Sequence, residues 1–148
     1  MELRSEANPA LNTITAYGSG YVEINEVAYR HSVYFAPEGE IHDWPVYTAG
    51  DITTTTLRDI AGLPETSADP MAFLDDQPGV MPDDAAEVLI IGTGEKQQLL
   101  PAHVTGPLLQ MGIGIEAMTT QAAARTYNIL MSEGRRVVVA LITHQEAV

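Results

Sequence analysis

Val88-Leu89-Ile90-Ile91-Gly92-Thr93-Gly94 decides the architecture. Four aliphatic residues in succession leave no polar face, as expected of a strand covered on both sides. Gly92 and Gly94 let the chain turn sharply where such a strand leaves its sheet. Downstream the pattern changes period. Pro101 to Met111 reads as a helix with Val104, Leu108 and Met111 on one stripe, stopped at Gly112. Ile113 to Met118 is a second strand. Thr119 or Thr120 can cap a helix from Gln121 to about Glu133, which Gly134 ends. Val137 to Ile142 is a third buried strand. The order β-α-β-α-β with right-handed crossovers predicts an α/β domain with these three strands in one sheet. The first two are expected to be parallel, and the third is parallel on the simplest reading.

Upstream, Ile14 to Phe35 has a β texture. Val27, Tyr29, Val33 and Phe35 share one parity, broken by His31, while Arg30 and Ser32 share the other. Gly18-Ser19-Gly20 and Asn25-Glu26 are turn signals, so two or three antiparallel strands are expected. Ile41 to Tyr47, with Trp44 and Pro45, suits a short edge strand. Pro64, Pro70, Pro78 and Pro82 divide the stretch from Gly50 to Asp84. In it Thr53 to Thr56 favour β, Leu57 to Leu63 suits a short helix, and Pro70 to Asp75 suits the start of another. As a whole it reads as an acidic, solvated, irregular crossover. Residues 1–12 are polar and expected to be loose. The 148 residues fit a single domain, 1–148, long enough to bury a core without covalent staples.

Composition excludes several classes. With no cysteine there is no disulfide, thiolate nucleophile or Cys-based metal site. A formal net charge of −13 repels phosphate backbones and anionic membrane surfaces, so nucleic acid is not an expected partner. Met1 to Leu11 has neither the apolar segment of a signal peptide nor the arginines of a transit peptide. No apolar run approaches the ~18 residues of a membrane span, so a soluble, cytoplasmic protein is the default expectation.

The chemistry-bearing candidates are sparse. Gly92-Thr93-Gly94 follows a strand, but Gln97 stands where a dinucleotide fingerprint needs its third glycine, and no Lys-Ser or Lys-Thr follows. His31, His42, His103 and His144 are dispersed, and no three of them can be placed together as a catalytic zinc requires. No metal and no cofactor is therefore expected. Gly18-Ser19-Gly20 lies between early strands and not at a strand-to-helix elbow, and Ser132 lies near a helix end, so no serine triad is legible. On the helix after Thr120, Ala122, Thr126, Ile129 and Leu130 form the expected apolar stripe. Arg125 and Tyr127 flank it, and Asn128 and Met131 point away. Arg125 either pairs with a carboxylate such as Glu116 or serves a ligand.

In a parallel pair the loops after both strands emerge on one side, the side where open α/β sheets bind ligands. Gly92, Thr93 and Gly94 of the first loop, Thr119 and Thr120 of the second, and Arg125 one turn into the helix form a candidate crevice. Its expected ligand is a small anion held at the helix N-terminus.

Residues 87–94 (EVLIIGTG), Leu100-Pro101, 112–118 (GIGIEAM), 122–130 (AAARTYNIL) and 133–137 (EGRRV) resemble the Mth938-like family, a domain of unknown function. The resemblance is strongest over roughly the last 60 residues. It implies a single compact α/β domain with a mixed central sheet, helices packed on it and a small additional β layer. The family includes a mitochondrial factor for assembly of respiratory complex I. The resemblance therefore implies a non-enzymatic interaction or assembly factor with a protein partner, a membrane-associated complex among the candidates. The alternative is a protein or enzyme that uses the crevice for a small anion or metabolite. Where the family often has Asp-Thr and a cysteine, this chain has Thr119-Thr120 and Ala124, which excludes a thiol mechanism at that position.

Overall fold

A computed structural model of the protein describes residues 11–62 and 86–143. The strands are β1 (Ile14–Gly18), β2 (Tyr21–Ile24), β3 (Val27–Tyr29), β4 (Val33–Phe35), β5 (His42–Asp43), β6 (Val88–Gly92), β7 (Gly114–Met118) and β8 (Val137–Leu141). The helices are α1 (Thr54–Ala61), α2 (Ala102–Gln110) and α3 (Thr120–Ser132). A five-stranded sheet has the order β5-β4-β8-β6-β7, and β1, β2 and β3 form a separate three-stranded antiparallel layer.

The three C-terminal strands lie together as their apolar runs predict. β6 pairs in parallel with β7 on one side and with β8 on the other. The sheet becomes mixed where β4 joins β8 antiparallel, and β5 closes that end as a short edge strand. Every residue of β6 and β8 is buried because both faces are covered. Leu89, Ile91, Val138 and Ala140 turn to one core with Leu57 and Ile60 of α1 and Leu108 of α2. Val88, Ile90, Val137, Val139 and Leu141 turn to the other, against α3 and the three-stranded layer. The starts of β6 and β8 are also tied by charge. Arg135 Nε donates to the Glu87 carboxylate, which holds that carboxyl below its usual range.

Four expectations are corrected. Thr53 to Thr56 opens α1 and is not a strand: Thr53 Oγ1 accepts from Thr56 N–H at 3.2 Å, and Thr53 N–H donates to Thr56 Oγ1 at 2.9 Å. This reciprocal cap outweighs the β preference of threonine. The apolar stripe of α3 is Ala123, Ala124, Tyr127 and Met131, while Ile129 is 57% exposed. Two alanines let the helix approach the sheet closely, and one large aromatic then fills the space beside them. Leu11 and Asn12 belong to the ordered domain: Asn12 is buried, and its Nδ2 donates to the carbonyls of Ala36 and Gly39, both at 2.9 Å. Finally, the stretch read as a whole as a solvated, irregular crossover is neither over α1, where the short helix expected at Leu57 to Leu63 begins earlier, at Thr54, and buries Leu57, Ile60 and Ala61. The helix expected at Pro70 to Asp75 lies outside the described residues.

Helix α2 contains Pro107, which has no N–H to give the carbonyl of His103. Thr54, the first residue of α1, supplies the donor. Its Oγ1 lies 3.3 Å from the His103 carbonyl and 2.8 Å from that of Val104.

Candidate functional site

The loops after β6 and β7 meet at one end of the sheet, as the parallel pairing requires. Gly94 N–H donates to Thr120 Oγ1 and the Gly94 carbonyl accepts from Thr120 N–H, both at 2.9 Å. The Thr120 hydroxyl in turn donates to the carbonyl of Ile142 at 2.7 Å. One threonine therefore fastens the β6 loop, the start of α3 and the end of β8.

A crevice of about 240 Å³ opens above this junction. Gly94, Thr119 and Thr120 line it together with Gln121, Ile142 and Thr143, and the β1–β2 hairpin covers it through Gly18, Gly20 and Tyr21. Ser19 at the hairpin tip donates to Glu95 Oε1 at 3.2 Å, which ties the hairpin to the β6 loop at the rim.

The six expected residues divide into two groups. Gly94, Thr119 and Thr120 line the crevice; Gly92, Thr93 and Arg125 do not. Gly92 is a packing residue, since a Cβ there would lie 2.9 Å from Thr120 Cα and 3.0 Å from Leu141 Cδ2. Thr93 is buried and organises its own loop. Its Oγ1 lies 2.8 Å from the Lys96 carbonyl and accepts from Gln98 N–H at 3.1 Å. Arg125 is exposed, and its Nη1 donates to Tyr17 Oη at 3.0 Å, so its contact is neither Glu116 nor the crevice.

The anion-binding capacity of the α3 N-terminus is mostly used internally. Thr120 N–H goes to Gly94, Ala122 N–H goes to the capping Thr119 Oγ1 at 3.2 Å, and Ala123 N–H goes to the Thr119 carbonyl. Among the described residues Gln121 N–H has no such partner, and Gln121 is one of the residues lining the crevice. Beside it lies Thr143, 5% exposed, whose hydroxyl has no hydrogen-bond partner among the described residues. The carboxylate of Glu95 opposes a bare anion at this position.

Sequence reading anticipated the β1–β2 hairpin but not its place over the crevice, nor the polar brace behind it. The Tyr127 hydroxyl donates to the Asn12 carbonyl at 2.7 Å, and burial pushes that phenol above its usual range. Asn128 accepts from Ile14 N–H at 3.1 Å and donates to the Ile14 carbonyl at 2.8 Å, which fixes β1 on α3. These contacts join residues more than 100 positions apart, so no local signal reports them. Among the described residues no group of three His, Asp or Glu gathers; His31 and Asp43 pair at 2.8 Å on the exposed β4–β5 side.

Residues 14–142 match the sequence profile of a family described as "Protein of unknown function (DUF498/DUF598)". Among solved structures, a Bordetella pertussis protein described as a Mth938-like domain is 53% identical. That likeness covers 100% of this chain and 96% of that one, with a TM-score of 0.77. By sequence, the "13 kDa major membrane protein" of Francisella tularensis is 38% identical over 56 residues, 38% of this chain and 46% of that protein. "NADH dehydrogenase [ubiquinone] 1 alpha subcomplex assembly factor 3" of Bos taurus is 39% identical over 56 residues, 38% of this chain and 30% of that protein. The similarity thus spans less than half the length of either relative.

Proposed function

The chain belongs to the DUF498/DUF598 family of Mth938-like domains, and from that membership we propose that it is a non-enzymatic interaction or assembly factor. The observation that carries the reading is the 56-residue likeness to a protein named as an assembly factor for a respiratory-complex subcomplex. The proposed partner is a protein, with membrane-associated complexes the first to test, met from the cytoplasmic side. No helix among the described residues is long and apolar enough to cross a membrane. The −13 charge acts against nucleic acid and anionic lipid as competing partners. The test uses the purified protein as bait for detergent-solubilised native membrane complexes, with a thermal-shift screen of metabolites run alongside. Recovery of one defined complex supports the reading. No specific partner, together with a metabolite that raises the melting temperature, sinks it.

A second reading, favoured by the unpartnered Thr143 hydroxyl, is a small-ligand site in the crevice. In it Gly94, Thr119 and Thr120 form the wall, Gly92 and Thr93 hold that wall in place, and Arg125 steadies the hairpin through Tyr17. With Glu95 at the rim, a ligand that joins an anionic group to a donor fits better than a bare anion. Amino acids and other small zwitterions titrated under NMR, with sulfate as the bare-anion control, provide the check. Saturable shifts at Gly94, Thr120 and Gln121 that Thr143→Val weakens support a site; silence at millimolar concentration removes it.

A further inference from the structure

The five-stranded sheet ends on β7, and among the described residues no strand pairs with its outer edge. The two ends of its ladder show which residues look outward. Gly114 N–H donates to the Glu87 carbonyl, and the Met118 carbonyl accepts from Thr93 N–H, both toward β6. In a parallel pair, alternate residues of one strand bond to the same neighbour. Gly114, Glu116 and Met118 therefore serve β6, and the backbone groups of Ile115 and Ala117 face away from it. Of those outward groups the Ala117 carbonyl is engaged, accepting from Gln97 Nε2 of an exposed loop at 3.0 Å. Natural sheets protect such an edge with charged side chains, proline or a bulge; β7 has no proline or bulge, and its one charge is Glu116. Every residue of β7 is half-buried or exposed, whereas β6 and β8 are buried throughout.

We propose that this edge receives an extended basic segment of a partner protein as a sixth strand. The inference rests on the assembly-factor reading and names the surface and the chemistry of the partner. The outward Ile115 N–H and carbonyl and the Ala117 N–H present backbone groups to another backbone, which is the β-augmentation mode of peptide recognition. The side chains set the sequence of the added strand. Ile115 and Ala117 pack toward the core shared with α2, so their neighbours on the added strand are apolar. Leu99, 82% exposed, lies in the same loop as Gln97. Glu116 projects from the opposite face and is exposed, so the residue across from it is lysine or arginine. A second copy fits less well, because it brings one net charge of −13 against another.

The experiment titrates the labelled full chain with a short peptide alternating valine and lysine and follows amide exchange by NMR. The expected result is new protection of Ile115 and Ala117 N–H, with Gly114, Glu116 and Met118 unchanged because β6 already holds them. Glu116→Lys is expected to weaken this peptide about three- to tenfold and to favour a valine–glutamate peptide instead. Shifts confined to another face, or binding without the alternating protection, overturn the proposal. Concentration-dependent protection of the same amides without peptide, with a doubled mass in sedimentation, assigns the edge to a second copy and also overturns it. A native complex captured equally by wild type and Glu116→Lys, with Ile115 and Ala117 N–H still exchanging freely in it, overturns the edge but leaves the assembly reading standing. No complex captured by wild type overturns both.

Discussion

Thr120→Val tests whether one hydroxyl fastens three segments. Valine matches threonine in shape, so the substitution opens no cavity and removes only the hydroxyl. Threonine at this position is 8% exposed; its hydroxyl donates to the Ile142 carbonyl at 2.7 Å and accepts from Gly94 N–H at 2.9 Å. The variant leaves one buried acceptor and one donor unpaired, and each such group costs about 1–3 kcal/mol. The Gly94 donor borders the crevice, where water replaces part of its bond, so its share falls at the low end. The expected loss is about 2–3 kcal/mol, or roughly 5–10 °C in Tm for a domain of this length. Urea and thermal unfolding followed by circular dichroism measure it, with an unchanged m-value showing that the native surface is intact. Thr120→Ser keeps the hydroxyl and loses one methyl, so it is expected to cost about 0.8 kcal/mol. A valine variant within about 0.5 kcal/mol of wild type, or a serine variant as unstable as the valine one, refutes the reasoning.

Gly92→Ala places a methyl against the backbone of Thr120, which cannot rotate aside, and is expected to cost about 1–3 kcal/mol by denaturant unfolding; a neutral result would show that α3 can shift. Thr143→Val removes a buried hydroxyl that has no partner among the described residues, and is expected to raise stability by up to about 1 kcal/mol in calorimetry without ligand; a clear loss would show that the hydroxyl has a protein partner. Tyr127 sets an alkaline limit. Its folded pKa lies above the unfolded value of 10.0, so both states keep the proton below pH 10. Above that pH the unfolded chain ionises first, and stability falls by about 1.4 kcal/mol per pH unit from this group. Tyr127→Phe is expected to be less stable at neutral pH, having lost the bond to Asn12, yet flatter above pH 10 in a pH series of urea midpoints.

The last third of the chain was legible because each of its elements carries a local signal. The uninterrupted aliphatics of β6 and β8 report burial on both faces, and Gly112 and Gly134 do take the positive φ of helix stops. The turn at Asn25-Glu26 was legible for the same reason: both residues adopt positive φ, as a two-residue hairpin of this hand needs. The α3 stripe was misread because periodicity weights large aliphatics, whereas this interface is set by two small residues and a tyrosine. Asn12 looks like any polar terminal residue until its partners, at Ala36, Gly39 and Tyr127, are in place. The candidate crevice was half visible. Parallel strands fix where their loops emerge, so Gly94, Thr119 and Thr120 could be foreseen. The covering hairpin and the direction of Arg125 depend on contacts across most of the chain.

The strand order also sets a schedule for biosynthesis. β8 is the middle strand of the sheet and, among the described residues, the last strand, and it alone joins β4 to β6. Until the ribosome has released residues 137–141, β4 has only β5 to pair with and one side of β6 is bare. The nascent polypeptide therefore carries two unfinished half-sheets with aliphatic faces uncovered. Closing them spans a separation of more than 100 residues, which makes the final step slow compared with that of a helical protein of equal length. Throughout that interval the uncovered faces and unpaired strand edges are open to aggregation.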